Sequence, residues 1–374
     1  VTRSVLVLAA QGVASYDAER ARELVGGTSY SSTLLKIERS SGAFRVFWQT
    51  LQTLQQADND IVYLEGTGMR VGIPLLLASL RRGRRLIYVV SSGDAVDRYF
   101  RNKYGVLAGL IAGIYERWLY RRSSGFIGWT PYLVGRAIRM GAPTGLTIEG
   151  QVPSEMFPAT PGDRADIRNR LGVANEDILV GVTGSLNWSK RQAYSYGLEL
   201  VEAASRVRRT DISYVIVGGG TGRAKLVERA RERGVNVRFI DRVPRAELST
   251  IMSSLDLAVI AQTPDEVGLL RLTTKLPEYL AVGTPVVMPA VPGAFDYMPP
   301  GPESPVFILP ALHPGRGEFW VALAKQFDKL DKDDLAKRRS TALIAAERFS
   351  SGNPSLKLQT LFDILPDTAG TNDR

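Results

Sequence analysis

The chain has no cysteine and a single histidine, His313, among its 374 residues. The first absence excludes disulfides, thiolate metal sites and a cysteine nucleophile, and it fits a reducing or an oxidising compartment equally. The second excludes a His-rich metal site. No stretch reaches the ~18 apolar residues that a membrane-spanning helix requires. The longest candidate, YGVLAGLIAGIY from Tyr104 to Tyr115, is too short. RSVLVLAA near the start lacks a signal-peptide layout and reads as a first strand, so a soluble, cytoplasmic protein is expected, with peripheral contact at the inner membrane face as an option. Tandem repeats and low-complexity tracts are lacking as well.

What is present suits a folded protein of two ordinary domains. An apolar share of 44% and an aromatic share of 8% are ample for packed cores. Net charge is +9, concentrated early: residues 1–156 carry 19 basic against 12 acidic side chains, leaving an excess of only 2 beyond them. A basic first half suggests an anionic partner (membrane phospholipid, a lipid-phosphate acceptor, nucleic acid) or nothing specific. The densest run, RRGRR at 81–85, reads most simply as a solvated helix end.

Buried strand-like runs alternate with helical periods in both halves. SVLVLAA, DIVYLEG, RRLIYVVSS and SGFIGWT mark the first half; DILVGVTGS, ISYVIVGGG, VNVRFID, DLAVIAQ, TPVVMPA and VFILPA mark the second. A Pro- and Gly-punctuated stretch around IEGQVPSEMFPATPGD separates them. The expected fold is α/β, with two Rossmann-like doubly wound domains facing across a cleft. Residues 1–155 form the first domain, with 350–374 returning to it as a capped helix, and 156–349 form the second. DRYFRNKYGVLAGLIAGIYERWLYRRSS reads as one long helix, apolar on one side and basic on the other. Packing of that apolar side on its own sheet is the simpler expectation; a membrane surface that collects a lipid-linked acceptor is the other.

Ligands of open parallel sheets bind outside the carboxyl ends of strands, and three strand-to-helix loops of the second half qualify. TGSLNWSKRQ offers Gly184 for close backbone approach and Lys190 and Arg191 for positive charge. VGGGTGR offers Gly219. In LRLTTKLPEY, Thr273 or Thr274 is placed to cap a helix whose first amides point outward, with Lys275 beside them. Helix-terminal amides with Lys190 opposite them suit a diphosphate. Glu278, one turn in, offers acceptors for two adjacent ribose hydroxyls. Each feature also has a plain structural meaning, as a surface charge, a cap or a dipole partner.

The second half resembles the nucleotide-binding domain of GT-B glycosyltransferases, specifically the retaining group called family 4 or group 1. The likeness rests on GVTGSLNWSKR, YVIVGGG, VRFIDRVPRAEL, LDLAVIA and KLPEYLAVGTPVV in that order, over about residues 176–295. Weaker echoes lie in IEGQVPSEMFP and RFSSGNPSLKLQTLF. The resemblance implies transfer of a sugar from a nucleotide-diphosphate donor to a sugar, lipid-linked or small-molecule acceptor. It also implies retention of configuration, with no metal and no further cofactor. It puts Lys190 on the diphosphate, the Thr273–Thr274 loop on the phosphates, Glu278 on the ribose, and Asp241, Arg242 and Val243 at the base. Three departures stand out: Leu270 occupies the place of the family's first Glu, with Glu266 the nearest substitute. Ser185 occupies the place of a diphosphate-binding Arg, leaving Lys275 or Arg271 to compensate. Ser91 or Ser92, followed by Asp94, stands where many members have a His. Lys190, Glu266 and Asp94 are therefore the catalytic candidates.

Other classes remain in play. VGGGTGR followed by Asp241 imitates a dinucleotide fingerprint and would suit an NAD-dependent oxidoreductase, although Arg223 stands where the third glycine belongs. A degenerate GT-B protein that binds a nucleotide sugar without turnover fits the departures. No nucleic-acid module is visible.

Overall fold

The computed structural model describes residues 3–37, 42–80, 86–150, 152–189, 193–298, 301–349 and 352–366. The chain divides into two compact units, one of Val1–Gln151, Leu270–Leu272 and Phe349–Arg374, the other of Val152–Leu269 and Thr273–Arg348.

In the first unit the elements run β1 (Ser4–Ala9), α1 (Tyr16–Gly26), β2 (Ser31–Leu34), α2 (Ala43–Gln56), β3 (Ile61–Glu65), α3 (Met69–Ser79) and β4 (Tyr88–Ser92). They continue with α4 (Val96–Tyr104), α5 (Val106–Arg122), β5 (Gly125–Gly128), α6 (Pro131–Arg139) and β6 (Gly145–Thr147). Among the described residues the strands form a six-stranded sheet in the order β2-β1-β3-β4-β5-β6, parallel throughout. Helices cover both faces, so the central strands are apolar at every position rather than at alternate ones. One core joins Leu6, Leu8, Val62 and Leu64 to α2, α3, α5 and α6. The other joins Val5, Val7, Ile61 and Tyr63 to α1 and to the C-terminal helix through Leu358, Leu361 and Phe362.

The second unit runs α7 (Pro161–Arg170), β7 (Ile178–Thr183), α8 (Leu198–Ala204), β8 (Ile212–Val217), α9 (Arg223–Glu232), β9 (Val237–Ile240) and α10 (Arg245–Ser254). It ends with β10 (Leu257–Val259), α11 (Lys275–Ala281), β11 (Val286–Pro289), α12 (Pro292–Asp296), β12 (Val306–Leu309), α13 (Gly317–Phe327) and α14 (Lys332–Ala346). Its sheet, again parallel, has the order β12-β11-β10-β7-β8-β9. From the opposite edge this is the third, second, first, fourth, fifth and sixth strand, the dinucleotide-fold order. The last helix, α15 (Gly352–Asp363), belongs to the first unit. Arg3 Nη1 donates to Phe362 O at 3.3 Å, and the Tyr30 hydroxyl is 2.7 Å from Asp363 Oδ1.

Two helical readings need correction. The long basic helix is a hairpin, α4 and α5, broken at Gly105, whose φ of +104° an L side chain rarely adopts. The stretch expected to be helical from Gln192 contracts to α8, because Gly197 sits at φ +95° and Ala193 at +49°. RRGRR and the expected cap before α15 lie outside the described residues.

Candidate functional site

In the second unit the chain builds β7, β8 and β9 outward in one direction and then returns to pair β10 on the other edge of β7. Beside such a reversal the flanking loops diverge, and ligands bind outside the carboxyl ends of the strands. A pocket lies there. Gly184 and Ser185 line it after β7, Val217 and Gly218 at the end of β8, Arg242, Val243 and Leu248 beyond β9, and Lys275 at the start of α11. Five residues singled out in the sequence, Gly184, Ser185, Arg242, Val243 and Lys275, thus meet in one place. Val217, Gly218 and Leu248 were not anticipated, although Gly218 had a signal as the first of three glycines closing a strand.

Backbone proximity explains the glycines. A Cβ on Gly218, at φ +141°, would lie 1.9 Å from Gly184 O, and one on Gly220 would lie 2.6 Å from Leu186 C. Leu186 N donates to Gly219 O at 3.0 Å, and Gly222 N donates to Leu186 O at 2.7 Å. The two loops therefore zip together through Gly218, Gly220 and Gly222, while Gly219 has open space beside it. A dinucleotide fingerprint needs those glycines turned toward a pyrophosphate. Its acid, Asp241, is largely exposed and pairs with Arg223 Nε at 3.0 Å. The packing of Gly218, Gly220 and Gly222 on the neighbouring loop speaks against the oxidoreductase reading.

The start of α11 is fixed from below. The Tyr279 hydroxyl is buried and accepts from Thr183 N at 2.9 Å, so the helix is tied to the last residue of β7. Burial, foremost, pushes its pKa above the ordinary tyrosine value, which keeps it protonated. Of the two threonines, Thr273 rather than Thr274 takes the capping part. Thr274 has helical backbone angles and no side-chain cap bond. Thr273 Oγ1 instead accepts from Lys275 N at 3.4 Å, while Leu276 N donates to Thr273 O at 3.2 Å, so part of the first turn is already engaged. Lys275 Nζ lies 2.9 Å from Glu278 Oε2, a pair one helical turn apart with Glu278 nearly buried. The Lys275 ammonium thus lines the pocket and Glu278 stands behind it.

The remaining candidates are placed elsewhere or not described. Lys190 and Arg191 lie outside the described residues. Ser189 N donates to Tyr194 O at 2.8 Å just beside them. Gly219 does not line the pocket, and Asp241 is exposed next to Arg242. Glu266 is exposed, not among the lining residues, on a turn in which Asp265 Oδ1 accepts from Val267 N and Gly268 N at 3.0 and 2.9 Å. Leu270 packs with the first unit's core, and its carbonyl accepts from Thr130 Oγ1 at 2.5 Å. His313 Nδ1 accepts from Gly315 N at 3.1 Å, and burial lowers its pKa. Among the described residues no three His, Asp or Glu are grouped as a metal site would require.

The first sheet reverses too, beside β1, and its strand ends hold a different set. Arg20, from α1, is ion-paired with Glu65 at the end of β3, both buried. The Tyr63 hydroxyl donates to Glu65 Oε2 at 2.8 Å, and the Arg20 guanidinium lies 3.9 Å over the Trp129 ring. Burial, then the Glu65 charge, raises the Asp17 carboxyl to about 6. Asp94 follows β4 in this unit, with its Oδ1 3.2 Å from Arg271 Nε.

Comparison with known proteins bears on the second unit first. Residues 177–314 match the family model for glycosyl transferases group 1. A 2-deoxystreptamine glucosyltransferase of Streptomyces kanamyceticus is 26% identical over 189 residues, 48% of this chain and 46% of the relative. A D-inositol 3-phosphate glycosyltransferase of Stackebrandtia nassauensis is 29% identical over 214 residues, 53% and 44% of the two chains. The aligned stretch thus spans less than half the length of either relative. Among solved structures, Anabaena Alr3699/HepE in complex with UDP and glucose shares the fold at a TM-score of 0.72 and 16% identity, over 96% of this chain and 100% of that one. Sucrose-phosphate synthase of Thermosynechococcus elongatus gives 0.72 and 15% over 96% and 98%. The chain shares the GT-B fold with these structures, and its residues 177–314 match the glycosyl transferases group 1 model.

Proposed function

We propose that the chain is a glycosyltransferase that moves a sugar from a nucleotide-diphosphate donor, held at the strand ends of the second unit, to an acceptor bound by the first. The single observation that carries this reading is the pocket beside β7, where glycine backbone and two cations, Arg242 and Lys275, converge. Breaking the bond between the sugar's anomeric carbon and the diphosphate oxygen leaves the electron pair, and the new charge, on the diphosphate. Cations and amides fixed in advance stabilise that charge at little reorganisation cost. Lys275 supplies one ammonium, and Lys190 and Arg191 are assigned the same task from the sequence. Glu278 is assigned to the ribose diol, with Lys275 as the partner it exchanges. Arg242 and Val243 are assigned to the base. With charge neutralisation given to side chains, retention without a metal ion is the form of the reaction we propose. UDP is the first base to try, because Anabaena HepE has been solved with UDP. Glycan, glycolipid or glycosylated-metabolite synthesis is the setting that such chemistry serves.

A thermal-shift screen of UDP-, GDP- and dTDP-sugars tests the site, since a ligand that prefers the folded state raises the melting temperature. One donor class is expected to stand out. Lys275→Ala is expected to lower donor turnover about 100-fold, the scale of one lost charge-stabilising donor, with Lys190→Ala and Glu278→Ala similarly impaired and EDTA without effect. Wild-type turnover in all three variants would remove the assignment. A second reading, donor binding without turnover, is favoured by Leu270, whose family acid is replaced by a side chain packed in the first unit. A full thermal shift with no donor hydrolysis or transfer would select it.

A further inference from the structure

The hairpin of α4 and α5 buries one side and leaves the other unusually apolar. At 100° per residue, Gly109, Ala112, Tyr115, Glu116, Leu119 and Tyr120 share the inward side of α5, and all are buried. Leu107, Leu110, Ile111, Ile114 and Trp118 fall within an arc of about 100° on the opposite side. Each is more than half exposed, Leu107 at 72% and Ile114 at 62%. The sequence pattern of this helix cannot tell which apolar side is the inner one; the structure shows that there are two.

Charge on this hairpin is sorted the same way. Between residues 96 and 122 there are six basic side chains and two acidic ones, Asp97 and Glu116. Both acids are consumed within the protein. Glu116 is fully buried, accepts from Val96 N and Asp97 N at 3.0 and 3.1 Å, and meets Arg136 Nη2 at 2.6 Å, as does Asp97. Arg101, Lys103, Arg117 and Arg121 remain exposed around the apolar stripe. The two helices pack at glycine distance: a Cβ on Gly109 would lie 2.7 Å from Arg101 Cβ. Neighbouring α3, joined by Arg122 Nη2 donating to Ser79 O at 2.9 Å, adds the half-exposed Leu77 and Leu80.

We propose that the exposed stripe of α5, with its basic border, docks the first unit on an anionic lipid bilayer. Apolar side chains on one arc, a tryptophan among them and flexible cations at the margins are what an interfacial helix presents to headgroups and acyl chains. A second copy of the chain is the poorer occupant, because a two-fold contact would set arginines against arginines. The inference rests on the first unit alone and stands or falls independently of the donor site.

Co-sedimentation of the full chain with vesicles decides it. The protein is expected to bind phosphatidylglycerol–phosphatidylcholine vesicles, to ignore phosphatidylcholine alone, and to be released by salt. Ile114→Glu and, separately, Leu110→Gln are expected to weaken vesicle binding at least about tenfold, as apolar burial is what inserts such a helix. Arg117→Ala and Arg121→Ala are each expected to weaken it about fivefold, the share of one basic residue near an anionic surface. All four variants keep the wild-type melting temperature and the nucleotide-sugar thermal shift. Absence of vesicle binding, equal binding to neutral vesicles, or binding untouched by Ile114→Glu overturns the proposal. So does a wild-type dimer that Ile114→Glu dissociates, which would identify the stripe as a protein interface.

Discussion

The two units place unlike contents at the same topological point. Beside β1 the reversal of strand order holds a buried ion pair, Arg20 with Glu65, with Tyr63 bonded to the carboxylate and Trp129 under the guanidinium. Beside β7 it is open, walled by glycine backbone and bordered by Arg242 and Lys275. Parallel α/β topology creates a crevice at each reversal, and the residues set how freely the charged groups there can move. A cation locked to a carboxylate at van der Waals distance from an indole has little freedom to meet a substrate. An ammonium paired one helical turn away, near the surface, keeps that freedom.

The sharpest way to break this contrast is to remove one partner of the buried pair. Arg20→Ala leaves Glu65 buried, 1% exposed, with no countercharge. Removing one member of a buried pair costs about 3–5 kcal/mol, so the urea midpoint of the first unit is expected to fall markedly. Replacing both partners by apolar residues, Arg20→Met with Glu65→Met, is expected to recover most of that loss. If acceptor-dependent activity stays lost in the double variant while stability returns, the cluster serves substrate as well as fold.

The open site is broken by filling its backbone contact. Gly218→Ala would force a Cβ to 1.9 Å from Gly184 O at a φ of +141°. Backbone strain of this type costs roughly 1–3 kcal/mol, and the overlap adds to it, so about 3 kcal/mol is expected against the loop pair. The thermal shift by nucleotide sugar should vanish. Gly219→Ala is the control, since nothing lies within 4 Å of its added Cβ. A retained shift in Gly218→Ala would mean that the loop pair does not shape the pocket.

How far such contrasts are legible in a sequence depends on what each residue faces. Central strands such as Ile178–Thr183 read plainly because they are buried on both faces and therefore apolar throughout. Edge strands do not: Ser31–Leu34 is largely exposed and polar, and Gly145–Thr147 is only three residues long. Helical periodicity runs unbroken through Gly105, so only its left-handed backbone reveals the hairpin. At the pocket, glycine and charge after strands are visible cues for Gly184 and Lys275, whereas Arg242 is reached through the family resemblance. The Arg223–Asp241 pair, the Lys275–Glu278 pair and the Thr183–Tyr279 anchor were not, because each depends on side-chain direction rather than spacing.

Among the described residues each unit also holds one carboxyl raised above its ordinary value, and their comparison gives the smallest expected effect. Glu199 at the start of α8 is fully buried. The Tyr194 hydroxyl donates to it at 2.8 Å and Gly197 N at 3.0 Å, but burial outweighs both bonds and raises the carboxyl from 4.5 to about 7. Asp17 is raised to about 6 by burial and by Glu65. A carboxyl with a raised folded pKa holds its proton more tightly in the folded state than in the unfolded one. Its contribution is therefore intact below the unfolded value and is lost as pH rises through the folded value. For Glu199 the window runs from about 4.5 to about 7, and the loss amounts to about 3 kcal/mol. Glu199→Gln keeps an acceptor for Tyr194 and removes the titration, so its stability should change less than wild type between pH 4 and pH 8. Asp17→Asn should flatten a smaller part of the curve, ending near pH 6. Chemical denaturation across that range measures both. A wild-type slope surviving in Glu199→Gln would show that the buried acid of the second unit is ionised throughout, held by its hydrogen bonds rather than neutralised by its surroundings.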